Sequence, residues 1–152
     1  MISVYKIKPR FQKLLLPLLL LLRKAGVIPN HITVFSIVFS FLLGYLLLKS
    51  PENNFFYLLV AFGLLLRMAL NALDGMMAKK YNLQSKSGQV LNEIGDILSD
   101  VAIYFPLLYF ENFRFEYVIV FIILSIINEF CGVLAKIISG ERRYDGPMGK
   151  SD

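Results

Sequence analysis

A single cysteine, Cys131, and a single histidine, His31, stand in 152 residues. One cysteine makes no intrachain disulfide and no thiolate zinc centre, and in its apolar stretch Cys131 reads as a small buried hydrophobe. The chain shows no repeat of 20–50 residues and no low-complexity linker, which argues for one helical domain over 1–152 and against a solenoid. It also lacks a continuous basic stripe. The net charge of +5 comes from lysines and arginines clustered at the ends of apolar segments, a membrane-topology pattern, so nucleic acid is not expected as a partner. Nor does a small-residue processing site follow the apolar run "LLLPLLLLL" near the N-terminus; Arg23 and Lys24 follow it instead. That run, with Pro17 inside it, is too short for a bilayer core needing about 20 residues, and residues 10–24 are expected to lie as a helix at the membrane surface.

What is present is apolar residue in long runs. Hydrophobic side chains make up 57% of the chain, and four stretches approach or exceed the length of a crossing: 31–48, 55–78, 88–110 and 117–139. The sequence therefore predicts an all-α integral membrane protein with an N-terminal interfacial helix and four transmembrane helices. Lys6, Lys8, Arg10, Lys13, Arg23 and Lys24 precede the first span, and Lys79, Lys80 and Lys86 follow the second. Arg142, Arg143 and Lys150 follow the last, whereas the opposite connections carry only Lys49 and Arg114. The positive-inside rule then places both termini and the 79–87 loop in the cytoplasm.

Polar residues interrupt the spans on chosen faces. At about 100° per residue, Arg67, Asn71, Asp74 and Ala78 share one side of the second span, with Gly75 beside it. In the third, Gly88, Asn92, Asp96 and Asp100 are spaced four apart and with Glu93 fill an arc of about 140°. Ser125, Asn128, Glu129, Gly132, Lys136 and Ser139 share a side of the fourth. Asn128 and Ser125 alone are adequately explained as bridges between helices. The carboxylates are not. Asp74, Glu93, Asp96 and Asp100 would each cost roughly 2.5–3.5 kcal/mol at the bilayer centre, a sum on the order of 10 kcal/mol that rivals a whole domain's stability. Arg67 and Lys136 neutralise two at most, so a further cation, water access or both is implied.

Carboxylates and amide oxygens without thiolate or a histidine cluster suit a hard cation, Mg²⁺ or Mn²⁺, and not zinc. Gly75 and Gly88 flank a loop with Lys79, Lys80 and Lys86, which lets a phosphate approach the backbone while lysines offset its charge. For those lysines taken alone, topology is the simpler explanation. Metal ligands beside phosphate-compatible surroundings point to phosphoryl transfer at the membrane interface.

Written out, the pattern is Asn71-x2-Asp74-Gly75-x2-Ala78-Lys79-x8-Gly88-x3-Asn92-x3-Asp96. It resembles the CDP-alcohol phosphotransferase signature of four aspartates, two glycines, an alanine and an arginine, and "PNHIT" at 29–33 resembles that family's entry to its first span. The resemblance implies a membrane transferase of phospholipid biosynthesis. Such an enzyme moves a phosphoalcohol group from a CDP-linked lipid or alcohol donor to an alcohol acceptor and releases CMP. By position the resemblance implies Asn71, Asp74, Asn92 and Asp96 as the metal set; Glu93 or Asp100 could compensate for the lost charge, and Asp100, on the Asn92 and Asp96 ridge, aligns better and is taken into the set. Asp74, Gly75, Ala78, Lys79 and Gly88 would receive the CDP group, and Asp96 would be the general base. Lys136, Arg142, Arg143 and Lys150 are candidate contacts for an acidic acceptor or headgroup, on charge and location alone.

Three departures stand out. Asn71 and Asn92 occupy the first and third aspartate positions, Lys79 replaces the usual arginine fork, and the family commonly has six spans. Either the sequence is a piece of a longer protein or its cavity is completed otherwise, as by a homodimer partner. Two other readings follow from the asparagines and the buried acids. One is a CDP-lipid-binding pseudoenzyme or partner subunit; the other is an ion or proton pathway through Asp74, Asp96, Asp100 and Glu129.

Overall fold

In a computed structural model, residues 8–139 are described, apart from the side chains of 8, 136, 137 and 139. They form five α-helices: α1 (Lys8–Lys24), α2 (Pro29–Lys49), α3 (Phe55–Lys80), α4 (Lys86–Tyr104) and α5 (Phe115–Ser139). Short 3-10 turns, Ser50–Glu52 and Phe105–Tyr109, follow α2 and α4. The all-α membrane architecture is as the apolar runs require. α2, α3 and α5 are each long and apolar enough to cross a bilayer. α4 is not among these, because Lys86, Glu93, Asp96 and Asp100 lie along it.

The ends of the helices explain the turns between them. α1 stops at Gly26, which takes φ 79°, while its N–H bonds to the Arg23 carbonyl and that of Val27 to the Leu22 carbonyl. This is the Schellman closure, in which a left-handed residue lets the last carbonyls find donors. Asn82, at φ 53°, does the same at the end of α3, with Leu83 N–H bonded to the Ala78 carbonyl at 2.9 Å. Pro29 then opens α2 at a position where its missing N–H costs nothing. Ser85 caps α4 by accepting from Gly88 N–H at 3.0 Å.

α2 sits between α3 and α4. Its buried face is Pro29, Ile32, Thr33, Ser36, Ser40, Leu43 and Gly44, recurring at helical spacing. α3 runs antiparallel to it, pairing Thr33 with Asp74 and Ser36 with Asn71. α4 runs alongside in the same direction as α2, with Asn30 near Gly88 at one end and Gly44 near Ala102 at the other. A Cβ on Gly44 would collide with the Ala102 carbonyl, so the absence of a side chain is what lets these two helices meet. In lipid, where burial of apolar surface between helices gains little, such close approach is a main source of association.

α1 docks one side on the C-terminal half of α3, where Leu15 and Leu19 pack with Leu70, Leu73 and Met77. Its other side leaves Leu14 and Leu21 exposed. α5 packs against α4, with Tyr104 and Phe121 edge to face at 4.9 Å; Cys131, expected to be buried, is exposed on α5. α4 turns Gly95, Asp96 and Ser99 inward, while Val90, Ile94 and Leu98 face outward. Its polar side is inside and its apolar side outside, the reverse of a helix on a water-soluble protein.

Candidate functional site

The antiparallel α3–α4 hairpin brings the two halves of the polar motif together. Asn71 and Asp96 stand twelve residues either side of the Leu83–Gln84 pair, and Arg67 and Asp100 sixteen. A tight turn fixes that register. Asn71 Nδ2 donates to Asp96 Oδ1 at 3.1 Å, and Arg67 donates to Asp100 Oδ1 at 2.6 Å.

α2 supplies the second layer. The Thr33 hydroxyl lies 3.0 Å from Asp74 Oδ2 and 3.2 Å from the Pro29 carbonyl. With one proton to give, it favours the charged acceptor. The Ser36 hydroxyl donates to Asn71 Oδ1 at 2.8 Å. The two bonds together orient the Asn71 amide, its oxygen toward Ser36 and its nitrogen toward Asp96. An aspartate at 71 would instead set one carboxylate against another at this distance. Asp74 and Asp96 are themselves buried, 6% and 7% exposed.

α5 closes the far side. Glu93, Asp96 and Glu129 each bring a carboxylate oxygen within 4.8 Å of the others. Carboxylates this close repel one another where they are charged, and a divalent cation with oxygen ligands is one group that offsets such charge. Arg67 does not serve that purpose, because it is matched by Asp100; their side chains are 16% and 20% exposed. Arg67 Nε is buried with no hydrogen-bond partner among the described residues.

The expected site residues thus fall into groups. Asn71 and Asp96 meet, and Asp74 lies about one turn along α3 from Asn71, held by Thr33. Asn92 is half-buried on α4, four residues before Asp96 and four after Gly88. Asp100 lies a turn beyond Asp96 and is held by Arg67. Gly75 is exposed, and a Cβ built on it meets nothing within 4 Å, so open space lies beside the α3 backbone at the residue after Asp74. Ala78 is half-buried and Lys79 exposed at the end of α3. Gly88 has a role beyond admitting a phosphate: a Cβ there would stand 2.8 Å from Asn30 Oδ1 and 2.9 Å from Ser85 Oγ, disturbing the α2 entry and the α4 cap. Arg142, Arg143, Lys150 and the side chain of Lys136 lie outside the described residues.

Thr33 and Ser36 were not among the residues expected at the site. Their signal is the Thr33, Ser36, Ser40 spacing of three and four, a hydroxyl ridge along an otherwise apolar helix. Glu129 was visible as part of a polar stripe and as a member of a possible ion pathway, not as a neighbour of Glu93 and Asp96.

Residues 26–149 match the sequence model of the CDP-alcohol phosphatidyltransferase family. The chain is 46% identical over 150 residues to "Inner membrane protein YnbA" of Escherichia coli (strain K12), an alignment covering 99% of this chain and 74% of that protein. It is 38% identical over 96 residues to an "Uncharacterized protein" of Aquifex aeolicus (strain VF5), covering 62% of this chain and 46% of that one. No solved structure matches it. The family match spans most of the chain and contains every motif residue from Asn71 to Asp96, and the inner-membrane relative agrees with the three apolar helices: the chain is a membrane protein that belongs to the CDP-alcohol phosphatidyltransferase family.

Proposed function

We propose that the protein transfers a phosphoalcohol group from a CDP-linked donor to an alcohol acceptor and releases CMP, in the biosynthesis of a phospholipid. The observation that carries this reading is the meeting of the two motif halves, Asn71 on α3 and Asp96 on α4, at 3.1 Å beside Asp74. Gly75 leaves room for the nucleotide next to Asp74, and Lys79 at the helix end offsets diphosphate charge. Asp96 takes the proton of the acceptor hydroxyl; the acceptor oxygen then bonds to the donor phosphorus as the bond to the CMP oxygen breaks.

The family is generally dependent on divalent metal, and the motif donors fit Mg²⁺ or Mn²⁺: Asp74 and Asp96 offer carboxylates, and Asn92 an amide oxygen. Such an ion, when bound, offsets the diphosphate charge and the charge that develops on departing CMP. Ser36 and Asn71 hold the Asp96 carboxylate in one orientation. The acceptor would approach with its own charge met by Lys136, Arg142, Arg143 or Lys150.

We place residues 1–152 in one domain with both termini and the 79–87 loop on the cytoplasmic side. The basic loops support this, as does the gathering of Asn30, Asp74 and Gly88 toward one end of the bundle. α4 would cross with its acids turned to α2, α3 and α5.

CMP release from CDP-diacylglycerol with candidate alcohols tests the reading. Asp96→Asn is expected to abolish it; release that survives the substitution removes Asp96 as the base. A second reading, a CDP-lipid-binding module without turnover, is favoured by the amide of Asn71 being committed to Ser36 and Asp96. In that case nucleotide binding persists and no alcohol yields CMP.

A further inference from the structure

We infer that Glu93 and Glu129 are carboxylate ligands of the divalent cation beside Asp96, restoring the two negative charges that Asn71 and Asn92 do not carry. The inference rests on the transferase reading for the presence of a cation, and goes beyond it in assigning ligands that the signature does not contain. The signature has four aspartates. This chain keeps two, Asp74 and Asp96, and brings two glutamates to Asp96 from positions outside the pattern, one on α4 and one on α5.

Geometry decides which acids can do this. Glu93 precedes Asp96 by three residues and so stands about 60° from it on α4, whereas Asn71 has its oxygen turned to Ser36 and presents a nitrogen to Asp96. Asp100 shares the Asp96 ridge but is engaged by Arg67 at 2.6 Å. Glu129 reaches the cluster across the α4–α5 interface, and the three carboxylates offer oxygens within 4.8 Å. Ligands at 2.0–2.1 Å from an octahedral Mg²⁺ stand about 2.9 Å apart where adjacent and about 4.2 Å where opposite, so three oxygens up to 4.8 Å apart close on an ion with side-chain shifts on the order of 1 Å. α5 would thereby contribute to the metal centre, a role the α3–α4 motif alone does not give it.

The test is Mn²⁺ binding to the purified full chain in detergent, read from the loss of the free-ion electron paramagnetic resonance signal. Wild type, Glu93→Gln and Glu129→Gln are compared with Glu116→Gln, an exposed control at the start of α5, each checked for monodispersity by gel filtration. Both cluster variants are expected to weaken binding by at least about tenfold, with the control within twofold. Binding within twofold of wild type in Glu129→Gln overturns the inference. Should that variant fail to fold, the unmodified protein serves: Fe²⁺ with ascorbate and peroxide is expected to cut the backbone near 93–96 and near 129, and cuts confined to α3 and α4 overturn it. CMP release from the same preparations separates the two readings. Release with Mn²⁺ binding indifferent to Glu129→Gln removes the inference and leaves the transferase, whereas Mn²⁺ binding lost in both variants of a protein that releases no CMP sustains the inference and removes the transferase.

Discussion

Replacing Asp100 by asparagine leaves Arg67 charged midway along α3, a helix about 39 Å long at 1.5 Å per residue, with its backbone roughly 20 Å from the Lys80 end. The pair is four-fifths buried, and Arg67 Nε already has no hydrogen-bond partner among the described residues. Breaking a buried pair by removing one member typically costs 3–5 kcal/mol. The residual exposure of one fifth argues for the lower end, about 3 kcal/mol, or about two decades in the folding equilibrium. Removing both charges, as Arg67→Met with Asp100→Leu, abolishes the desolvation penalty along with the attraction and is expected to fall within about 1 kcal/mol of wild type. The chain has no tryptophan, so reversible unfolding by SDS in mixed micelles is best followed by far-UV circular dichroism. A loss below about 0.5 kcal/mol in Asp100→Asn, or a double variant no better than the single, refutes the claim that Asp100 serves mainly to neutralise Arg67.

Gly75→Ala adds a Cβ into open space, so folding is expected to be unchanged while CMP release falls by at least tenfold if the nucleotide closes on that backbone; full activity would place the nucleotide elsewhere. Ser36→Ala frees the Asn71 amide to turn, at a stability cost of about 0.6–1.7 kcal/mol read by the same unfolding assay. Its effect is expected mainly in kcat, with KM for the donor little altered; a change in KM alone would argue against an orienting role.

Much of this was legible in the sequence because lipid imposes simple rules. Lengths of apolar run found the helices, and the four-residue spacing of Asn92, Asp96 and Asp100 found the inward face of α4. Periodicity within a helix gives a face but not the partner across from it. Asp100 shares a ridge with Asp96, but what stands opposite it depends on hairpin register, and the turn around Leu83 and Gln84 delivers Arg67. That register was recoverable, since the loop between the helices is only five residues, 81–85. The placement of Glu129 was not, because the longer connection before α5 leaves its rotation and depth free until Tyr104 packs on Phe121. The asparagines, seen in sequence as lost charge, are in part structural: Asn71 links the hydroxyl ridge of α2 to the Asp96 carboxylate.

The central claim is that this site turns over a CDP-linked donor. The most direct measurement is CMP release by the purified protein in lipid nanodiscs, supplied with CDP-diacylglycerol, Mg²⁺ or Mn²⁺ and a panel of alcohols that includes glycerol phosphate, inositol phosphate and serine. The account predicts acceptor-dependent release that stops on chelation with EDTA and is absent in Asp96→Asn. Release indifferent to EDTA and to Asp96→Asn, or no release with any acceptor from a protein that still binds CDP-diacylglycerol, contradicts it.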